Sequence, residues 1–398
     1  MMGIMAPNGK DPHPSYPSHL SYPSYLSHPS RPMRIALVTD WCRPRVGGIE
    51  HHVHELAREL VARGHDVHVV TTTPGAVVPA GARLHAFRVA MLGDVAAPNL
   101  FKIRTLARLL TREGIDIVHA HGMFSTTAIG GLLAARMVGI PSVTTNHSLL
   151  QTNSTLPAAF LVFHLFSGSA GVISAVSEAA AEDARLASGR RDVVCLPNGI
   201  DAGWWHLPHQ DAGPLRIATV MRLVAKKSPG DLIAAIQRAP AEVCGRPVVF
   251  TIVGDGPERP RLERDAAAVG AARRVEFRGT LDREAVRSTL ASSSVFALPC
   301  RREAFGLAIL EARAAGLPVV AMRAGGVPEV VTHGENGLLA RDRDEFARHV
   351  ATLVTDEAQR LRLASSSRRG LEAFTWEGVI ARHLEVYEMA RVSSTVPR

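Results

Sequence analysis

Cysteine is scarce in this chain of 398 residues, and the four that occur are far apart. Cys42, Cys195, Cys244 and Cys300 form no Cys-x-x-Cys pair and no spacing typical of a metal site. A disulfide-stapled secreted domain is therefore disfavoured, and a reduced, cytoplasmic protein is expected.

Long hydrophobic runs are also missing. The N-terminus has no continuous apolar segment of the kind found in a signal peptide. The most apolar stretch, at 156–166, reads LPAAFLVFHLF, which is too short to cross a bilayer and contains His164. We expect a buried or interfacial helix there.

Motifs that bind metals or dinucleotides are absent or incomplete. Several histidines fall close together in the sequence, but no His-Glu-x-x-His motif and no spaced Cys/His set occurs, so we expect no metal. Gly254-x-Gly256 is followed by Arg259 where a dinucleotide fingerprint needs a third glycine. It also follows the second strand of its domain, so a turn is favoured over an NAD site.

Basic residues outnumber acidic ones, which gives a formal net charge of +8 and a pI of about 9.8. An anionic partner is therefore plausible: nucleic acid, a nucleotide or an acidic membrane surface. Aromatic residues make up only 5% and are not interleaved with basic ones. A nucleic-acid-binding protein thus stays a rival without a recognisable module, and we expect no nucleic acid partner.

What is present divides the chain into five segments. Residues 1–32 are rich in Pro and Ser, show no helical or strand period and predict a disordered extension. Two Rossmann-like domains follow at 33–201 and 215–375, joined by a Pro- and Gly-containing linker at 202–214. A last helix at 376–398 can pack back on the first domain.

The domain assignment comes from short apolar strands that alternate with helices. The predicted strands are 34–40, 66–72, 83–89, 116–121, 142–147, 171–177 and 192–201, and then 215–222, 247–256, 274–280, 294–299 and 317–322. This alternation predicts an α/β fold with two parallel sheets, each covered by helices on both faces.

Polar residues and glycines gather where these strands end, which is where open parallel sheets bind ligands. In the first domain they are Gly47-Gly48, His121 and the run Asn146-His147-Ser148. Glycines between a first strand and its helix let a phosphate approach backbone amides, although a tight turn would also require them. Two such edges would face each other across an interdomain cleft.

In the second domain, Arg222 and Lys227 follow a strand, and their cationic groups suit a diphosphate. The segment EAFGLAILE, at 303–311, carries an acid at each end of an apolar run. Glu303 can turn to the hydroxyls of a ligand, and the amides of Gly306 and Leu307, after Phe305, can point at an anion. Glu311 lies in the helix, where two vicinal hydroxyls, as on a ribose, would justify burying its carboxylate.

Taken together, these motifs resemble the retaining glycosyltransferases of family 4, which have the GT-B fold of two Rossmann-like domains facing a cleft. The likeness runs from Met33 to the C-terminus and rests on the order and spacing of short motifs. They are the glycine pair, VHAH, LPNGID, MRLVAKK, VGDGPE, the Glu303-x7-Glu311 pair and the segment 316–339. The N-terminal domain is similar to that of transferases that add GlcNAc or mannose to phosphatidylinositol.

The resemblance implies a nucleoside-diphosphate sugar, UDP- or GDP-linked, as donor and no cofactor. Arg222 and Lys227 would hold the diphosphate and Glu311 the ribose, while Glu303 and His121 would flank the transferred hexose or N-acetylhexosamine. Transfer would retain the anomeric configuration without a metal, and the leaving phosphate would deprotonate a lipid or glycan acceptor. The run Asn146-His147-Ser148 is assigned to the acceptor side. An epimerase or hydrolase of nucleotide sugars on the same fold is the alternative enzyme.

A basic stripe suggests contact with a membrane. In the predicted helix at 99–114, Arg104, Arg108 and Arg112 recur every four residues, and Lys102 adds a charge. An ordinary surface helix is the other interpretation. We expect peripheral binding to the acidic inner face of the cell membrane.

Overall fold

The computed structural model describes residues 31–87, 91–92, 95–96, 101–122, 125–149, 168–208 and 213–395. The predicted extension at 1–32, apart from its last two residues, lies outside the described residues. So do the apolar run at 156–166 and part of the linker, at 209–212.

The N-terminal half is built on a sheet of seven parallel strands. In chain order the strands of this half are β1 (Arg34–Thr39), β2 (Asp66–Thr71), β3 (Arg83–Ala86), β4 (Met91–Leu92), β5 (Val95–Ala96), β6 (Ile117–His121), β7 (Ser142–Asn146), β8 (Val172–Ala175) and β9 (Val193–Cys195). Of these, β4 and β5 form a separate antiparallel pair. The order across the sheet is β3-β2-β1-β6-β7-β8-β9. All the residues of β6 and β7 are buried, as expected for strands covered on both faces.

Helices cover this sheet. They are α1 (Gly48–Ala62), α2 (Phe101–Arg112), α3 (Thr126–Met137) and α4 (Glu178–Ser188). A short helix, α5 (Ala202–Trp205), then leads into the C-terminal half, with the Asp201 side chain accepting from the Trp204 N–H at 2.8 Å. Residues predicted as part of the linker thus include Trp205, which is fully buried.

The C-terminal half has a second sheet of seven strands, of which only β11 is antiparallel. The strands are β10 (Leu215–Val220), β11 (Glu242–Val243), β12 (Arg246–Val253), β13 (Val275–Gly279), β14 (Val295–Leu298), β15 (Val319–Met322) and β16 (Gly337–Ala340). Its helices are α6 (Asp231–Arg238), α7 (Arg259–Ala268), α8 (Arg283–Ala291), α9 (Leu307–Ala314), α10 (Val327–Val330), α11 (Arg343–Thr355), α12 (Glu357–Ser366) and α13 (Trp376–Thr395). Short 3₁₀ turns connect some of them.

Two tandem Rossmann-like halves confirm the predicted α/β architecture. The prediction missed β16, a four-residue strand that pairs in parallel with β15. Its sequence, GLLA, is too short to show a period, and only the neighbouring strand makes it extended.

The last helix, α13, leaves the C-terminal half and packs on the N-terminal sheet. Trp376, Ile380 and Tyr387 are buried among residues of β1, β2 and α1. At the crossing, Gly199 lies so close to the Trp376 ring that a Cβ atom there would be 2.4 Å from it. A glycine is therefore required where the chain passes back between the halves.

None of the helices within the described ranges has both the length and the apolar content needed to cross a membrane.

We predict that Ile380→Ala lowers the free energy of unfolding by about 2–5 kcal/mol, because Ile380 is 1% exposed and its removal leaves a cavity beneath α13. Met389→Ala on the same helix is the control. Met389 is 43% exposed, so its loss should change stability by less than about 0.5 kcal/mol. Denaturant unfolding measures both, and equal effects would show that α13 is not anchored through Ile380.

Candidate active site

The carboxyl ends of both sheets carry the predicted site residues. β1 leads to Gly47-Gly48, β6 ends at His121 and β7 ends at Asn146, while β10 and β14 lead to Arg222 and Glu303. Parallel strands end at one edge of a sheet, so each group of side chains lies along a single edge.

Lys227 and Glu303 form an ion pair. The Lys227 Nζ donates to the Glu303 Oε2 at 2.6 Å, and the two side chains are only 23% and 15% exposed. Burial is the largest single effect and acts to lower the pKa of Lys227, but the charge and the hydrogen bond of Glu303, with a further contribution from Cys300, together outweigh it and raise the pKa. Lys227 is therefore positively charged at neutral pH and lies directly beside the carboxylate. The residue expected at the diphosphate and the residue expected at the sugar are thus in direct contact with each other.

A glycine pair that was not assigned a role from the sequence supports Glu303. A Cβ on Gly325 would lie 2.1 Å from the Glu303 carbonyl oxygen, and one on Gly326 would lie 2.3 Å from that of Ala304. The Gly326 N–H donates to the Glu303 carbonyl at 3.0 Å. The position of these glycines just after β15, at the ligand edge, was the available signal.

The same glycine loop touches the N-terminal half. A Cβ on Gly325 would lie 2.7 Å from Leu149 Cδ1, and one on Gly326 would lie 2.8 Å from Ser177 Cβ. The Glu329 carboxylate accepts from the N–H groups at the start of α4, at 3.0 and 3.2 Å. Because Leu149 follows His147 by two residues, the loop that carries His147 lies beside the same glycine as the Glu303 carbonyl.

At Gly47-Gly48, the start of α1 already faces a carboxylate. The Glu50 side chain fills the space beside Gly47, where a Cβ would meet its oxygen at 2.2 Å, and it pairs with Arg45 at 3.2 Å. Burial raises the pKa of Glu50, while Arg45 and the exposed Arg222 oppose that rise. Arg222 therefore acts on Glu50 from the opposite half, and a phosphate at this helix end would need Glu50 to turn aside.

Phe305, Gly306 and Leu307 have unequal roles. Gly306 has φ +95°, which favours glycine, and α9 begins at Leu307, so backbone amides are available there. The Phe305 ring is buried and packs edge-on against Phe374 at 5.7 Å. Phe305 can contribute only its backbone, because its side chain belongs to the core.

Glu311 is buried and paired with a residue that sequence reasoning missed. Its Oε1 lies 3.5 Å from Arg283 Nη1, at the start of α8. Burial raises the pKa of Glu311 to about 7, and Arg283 opposes the rise. Lying some 28 residues away on another helix, Arg283 gave no sequence signal.

Histidines cluster beneath the cleft. His121 Nδ1 and His147 Nε2 are hydrogen-bonded at 3.0 Å, and His119 bonds Tyr387 and Thr145 at 2.9 and 2.6 Å. Burial lowers the pKa of each of these histidines, so their rings are neutral at pH 7.

Three of these rings have the spacing of a possible metal site. One ring nitrogen from each of His52, His121 and His147 lies within 4.8 Å of the others. Neutral imidazoles are good ligands for zinc and related ions. These three come from α1, β6 and the loop after β7, so no spacing rule could reveal them.

The three residues assigned to the acceptor side divide in two. The Asn146 amide donates to the Ala180 carbonyl at 3.1 Å and accepts from the Ser148 N–H at 3.2 Å, so it shapes the turn. His147 is partly exposed and Ser148 is exposed. Only those two offer a side chain toward solvent.

The basic stripe lies on the outer face of α2. Arg104, Arg108 and Arg112 are exposed, and Lys102 is partly exposed. The leucines of the other face, Leu106, Leu109 and Leu110, are buried in the core, so they are not available to a lipid.

A pH-dependent stability is expected from Glu311. Its folded pKa of about 7 exceeds the ordinary 4.5, so between these values the unfolded chain has lost a proton that the folded chain keeps. The free energy of unfolding should therefore fall, relative to that of Glu311→Gln, by up to about 3 kcal/mol as the pH rises through this window.

Urea unfolding at several pH values measures this difference. The exposed Glu284→Gln is the control and should run parallel to wild type. A constant difference between wild type and Glu311→Gln at all pH values would show that the carboxyl titrates normally.

Comparison with known proteins identifies the family. Residues 46–204 match Glycosyltransferase Family 4, and residues 209–370 match Glycosyl transferases group 1. The chain is 30% identical to a subunit of the phosphatidylinositol N-acetylglucosaminyltransferase of Arabidopsis thaliana, over 90% of this chain and 82% of that protein. It is 29% identical to the glycogen synthase of Mycobacterium tuberculosis H37Rv, over 92% and 97% respectively.

Among solved structures, Anabaena HepE in complex with UDP and glucose is similar, with a TM-score of 0.76 and 23% identity. The match covers 92% of this chain and all of HepE. This agrees with the GT-B fold expected from the sequence. With the paired site residues at the facing sheet edges and the identity to the Arabidopsis protein, the chain belongs to glycosyltransferase family 4.

Proposed function

We propose that this glycosyltransferase moves a hexose or N-acetylhexosamine from a UDP- or GDP-linked sugar to a phosphatidylinositol-like lipid, with retention of configuration and without a metal. The Lys227–Glu303 ion pair carries the proposal, because it places a cation and a carboxylate side by side at the ligand edge. The similarity to a phosphatidylinositol N-acetylglucosaminyltransferase supports the lipid acceptor.

The pair suits the breaking of a glycosyl phosphate bond. When the bond between the anomeric carbon and the diphosphate oxygen breaks, negative charge grows on the phosphate and positive charge on the sugar ring. Lys227, with Arg222 nearby, would stabilise the first, and the Glu303 carboxylate would bind the sugar hydroxyls. A bound diphosphate would compete with Glu303 for Lys227, which frees the carboxylate for the sugar.

Retention follows if the acceptor attacks from the face that the phosphate leaves. The acceptor oxygen forms the new bond to the anomeric carbon, and its proton passes to the departing phosphate oxygen. His121 would contact the sugar through a neutral ring, because its pKa is lowered by burial. A neutral imidazole can hydrogen-bond to a hydroxyl without repelling the developing positive charge.

A glucan is the second candidate acceptor, favoured by the similarity to glycogen synthase over nearly the whole chain. Incubation with UDP- and GDP-sugars, once with phosphatidylinositol vesicles and once with a glucan primer, distinguishes the two. Product anomers determined by NMR test retention, and assays with a chelator test metal independence. Hydrolysis or epimerisation of the donor alone would favour the alternative enzyme.

Contact with a membrane belongs to the same proposal. The exposed arginines of α2 form a basic face, and because the leucines of this helix are buried, binding would be electrostatic rather than insertive. This fits a cytoplasmic protein that meets its lipid acceptor at the acidic inner face of the membrane. We expect no nucleic acid partner.

Glu303→Gln should lower turnover about 100- to 1000-fold while the protein stays folded, because one charged contact with the reacting sugar is lost. Its amide oxygen can still accept from Lys227, so the fold should persist. Initial rates and melting temperatures are measured together, with the exposed Glu284→Gln as control. Near-normal turnover in Glu303→Gln would remove Glu303 from the mechanism.

Arg222→Ala and Lys227→Ala should each weaken binding of UDP or GDP by about tenfold or more, because each loses a charge-assisted contact with phosphate. Affinity for uridine or guanosine should hardly change. Calorimetric titration compares the ligands, with the exposed Arg264→Ala as control. Equal losses for nucleoside and nucleotide would place the two residues away from the diphosphate.

Replacing Arg104, Arg108 and Arg112 together with glutamate should release the protein from acidic liposomes at low salt. Each basic residue near an anionic surface contributes about 1 kcal/mol. The triple variant Arg191→Glu, Arg264→Glu and Arg343→Glu changes the net charge equally at exposed sites elsewhere and should still co-sediment. Equal behaviour of the two variants would leave α2 as an ordinary surface helix.

A further inference from the structure

Arg283 joins several parts of the molecule around one carboxylate. It is the first residue of α8, and its Nη1 hydrogen-bonds His51 on α1 and lies 3.5 Å from Glu311 on α9. Its guanidinium carbon also lies 4.9 Å from the ring centres of both Trp204 and Trp205, on α5. The contact with His51 crosses from the C-terminal to the N-terminal half.

The contacts with Trp204 and Trp205 do not use the N–H groups of Arg283, which can therefore donate hydrogen bonds to other residues. A guanidinium that stacks on aromatic faces keeps its N–H groups in the plane of the fork. Those groups reach His51 and Glu311, while the guanidinium carbon lies over both indole rings. The arginine is thus held in place by contacts that do not use its hydrogen-bond donors.

His51 is a neutral partner for two arginines. Burial, followed by the charges of Arg283 and Arg43, lowers its pKa to about 2. Arg43 Nη2 lies 2.9 Å from the His51 Nδ1, on the side opposite Arg283. A neutral imidazole offers one acceptor nitrogen, so the two arginines compete for it. When the Glu311 carboxyl is ionised, it is the better acceptor for Arg283.

Ionisation of the buried Glu311 carboxyl depends on the positive charge of Arg283. It is 9% exposed, and Arg283 is the charged group that acts on its pKa within the described part of the chain. Trp204 and Trp205 carry no charge, and His51 is neutral. A buried carboxylate with one cationic partner depends on that partner for its ionisation.

We propose that Arg283 is a positioning residue that favours ionisation of the Glu311 carboxyl and orients it toward the ribose hydroxyls of the nucleotide sugar. Its hydrogen bond to His51 makes this alignment depend on contact between the two halves. The ribose role rests on the proposed function, whereas the link between Arg283 and Glu311 does not. Arg283 touches no reacting atom and acts only through Glu311.

The link is tested without any ligand by titrating the Glu311 carboxyl in full-length protein labelled with 13C-glutamate. Glu311→Gln identifies the resonance. In Arg283→Ala the midpoint should rise by about one pH unit or more, because the favourable charge is gone. Arg283→Lys, which keeps the charge, should move the midpoint much less.

Arg287→Ala is the matched control. Arg287 lies one turn further along α8 and stacks on the same Trp204 at 4.8 Å, but neither Glu311 nor His51 is among its contacts in the described structure. Its midpoint should equal that of wild type. An unmoved midpoint in Arg283→Ala, or equal shifts in both alanine variants, would overturn the proposal and leave Arg283 as a packing residue.

Nucleotide binding tests the ribose role. Affinity for UDP or GDP should rise as the pH passes through 7 in wild type, and in Arg283→Ala it should fall by about tenfold or more at pH 7 and recover at higher pH. A loss in Arg283→Ala that is independent of pH would overturn the ribose role. If wild type binds neither nucleotide, the proposed function fails, while the carboxyl titration still decides whether Arg283 controls Glu311.

Discussion

The close approach of the two halves at one glycine loop is the constraint on which the site depends. Gly325 and Gly326 lie against the carbonyls of Glu303 and Ala304 on one side and against Leu149 and Ser177 on the other. Any side chain at either glycine would separate the halves or displace Glu303. Because the two halves meet here, charged groups from both sheet edges come within range of one another, as Arg222 does with Glu50.

Withdrawal from water then requires that each charge has a partner. Lys227 is matched by Glu303 at 2.6 Å, and Glu311 by Arg283 at 3.5 Å. The proposed reaction uses Lys227 and Glu303 separately, so a bound diphosphate must exchange partners with that pair, whereas Arg283 stays with Glu311. Burial raises the free-energy cost of leaving either partner of a pair without a counter-charge, since an unpaired charge in the cleft costs far more than one at the surface. These four side chains therefore each have a partner of opposite charge before a ligand binds.

Much of the fold could be predicted because the strands of a parallel sheet have a recognisable local sequence pattern. β6 and β7 are wholly buried and read as short apolar runs, and a helix follows most strands of both sheets. The position of His121 at a strand end and of Glu303 in the loop after a strand followed from the same alternation. Phe305 was different, because an aromatic residue beside a ligand loop and one in the core have the same sequence context. Only its packing on Phe374 shows that its ring belongs to the core.

The sequence by itself determined the two-sheet architecture, the edge at which ligands are expected to bind and the acids and bases available there, because strand periodicity and strand ends are local properties. Tertiary structure decided which of those groups meet. Arg283 with Glu311, and the histidine cluster of His52, His121 and His147, join residues from separate elements. Such contacts depend on how helices and strands pack, and a distance across space leaves no period or spacing along a single chain.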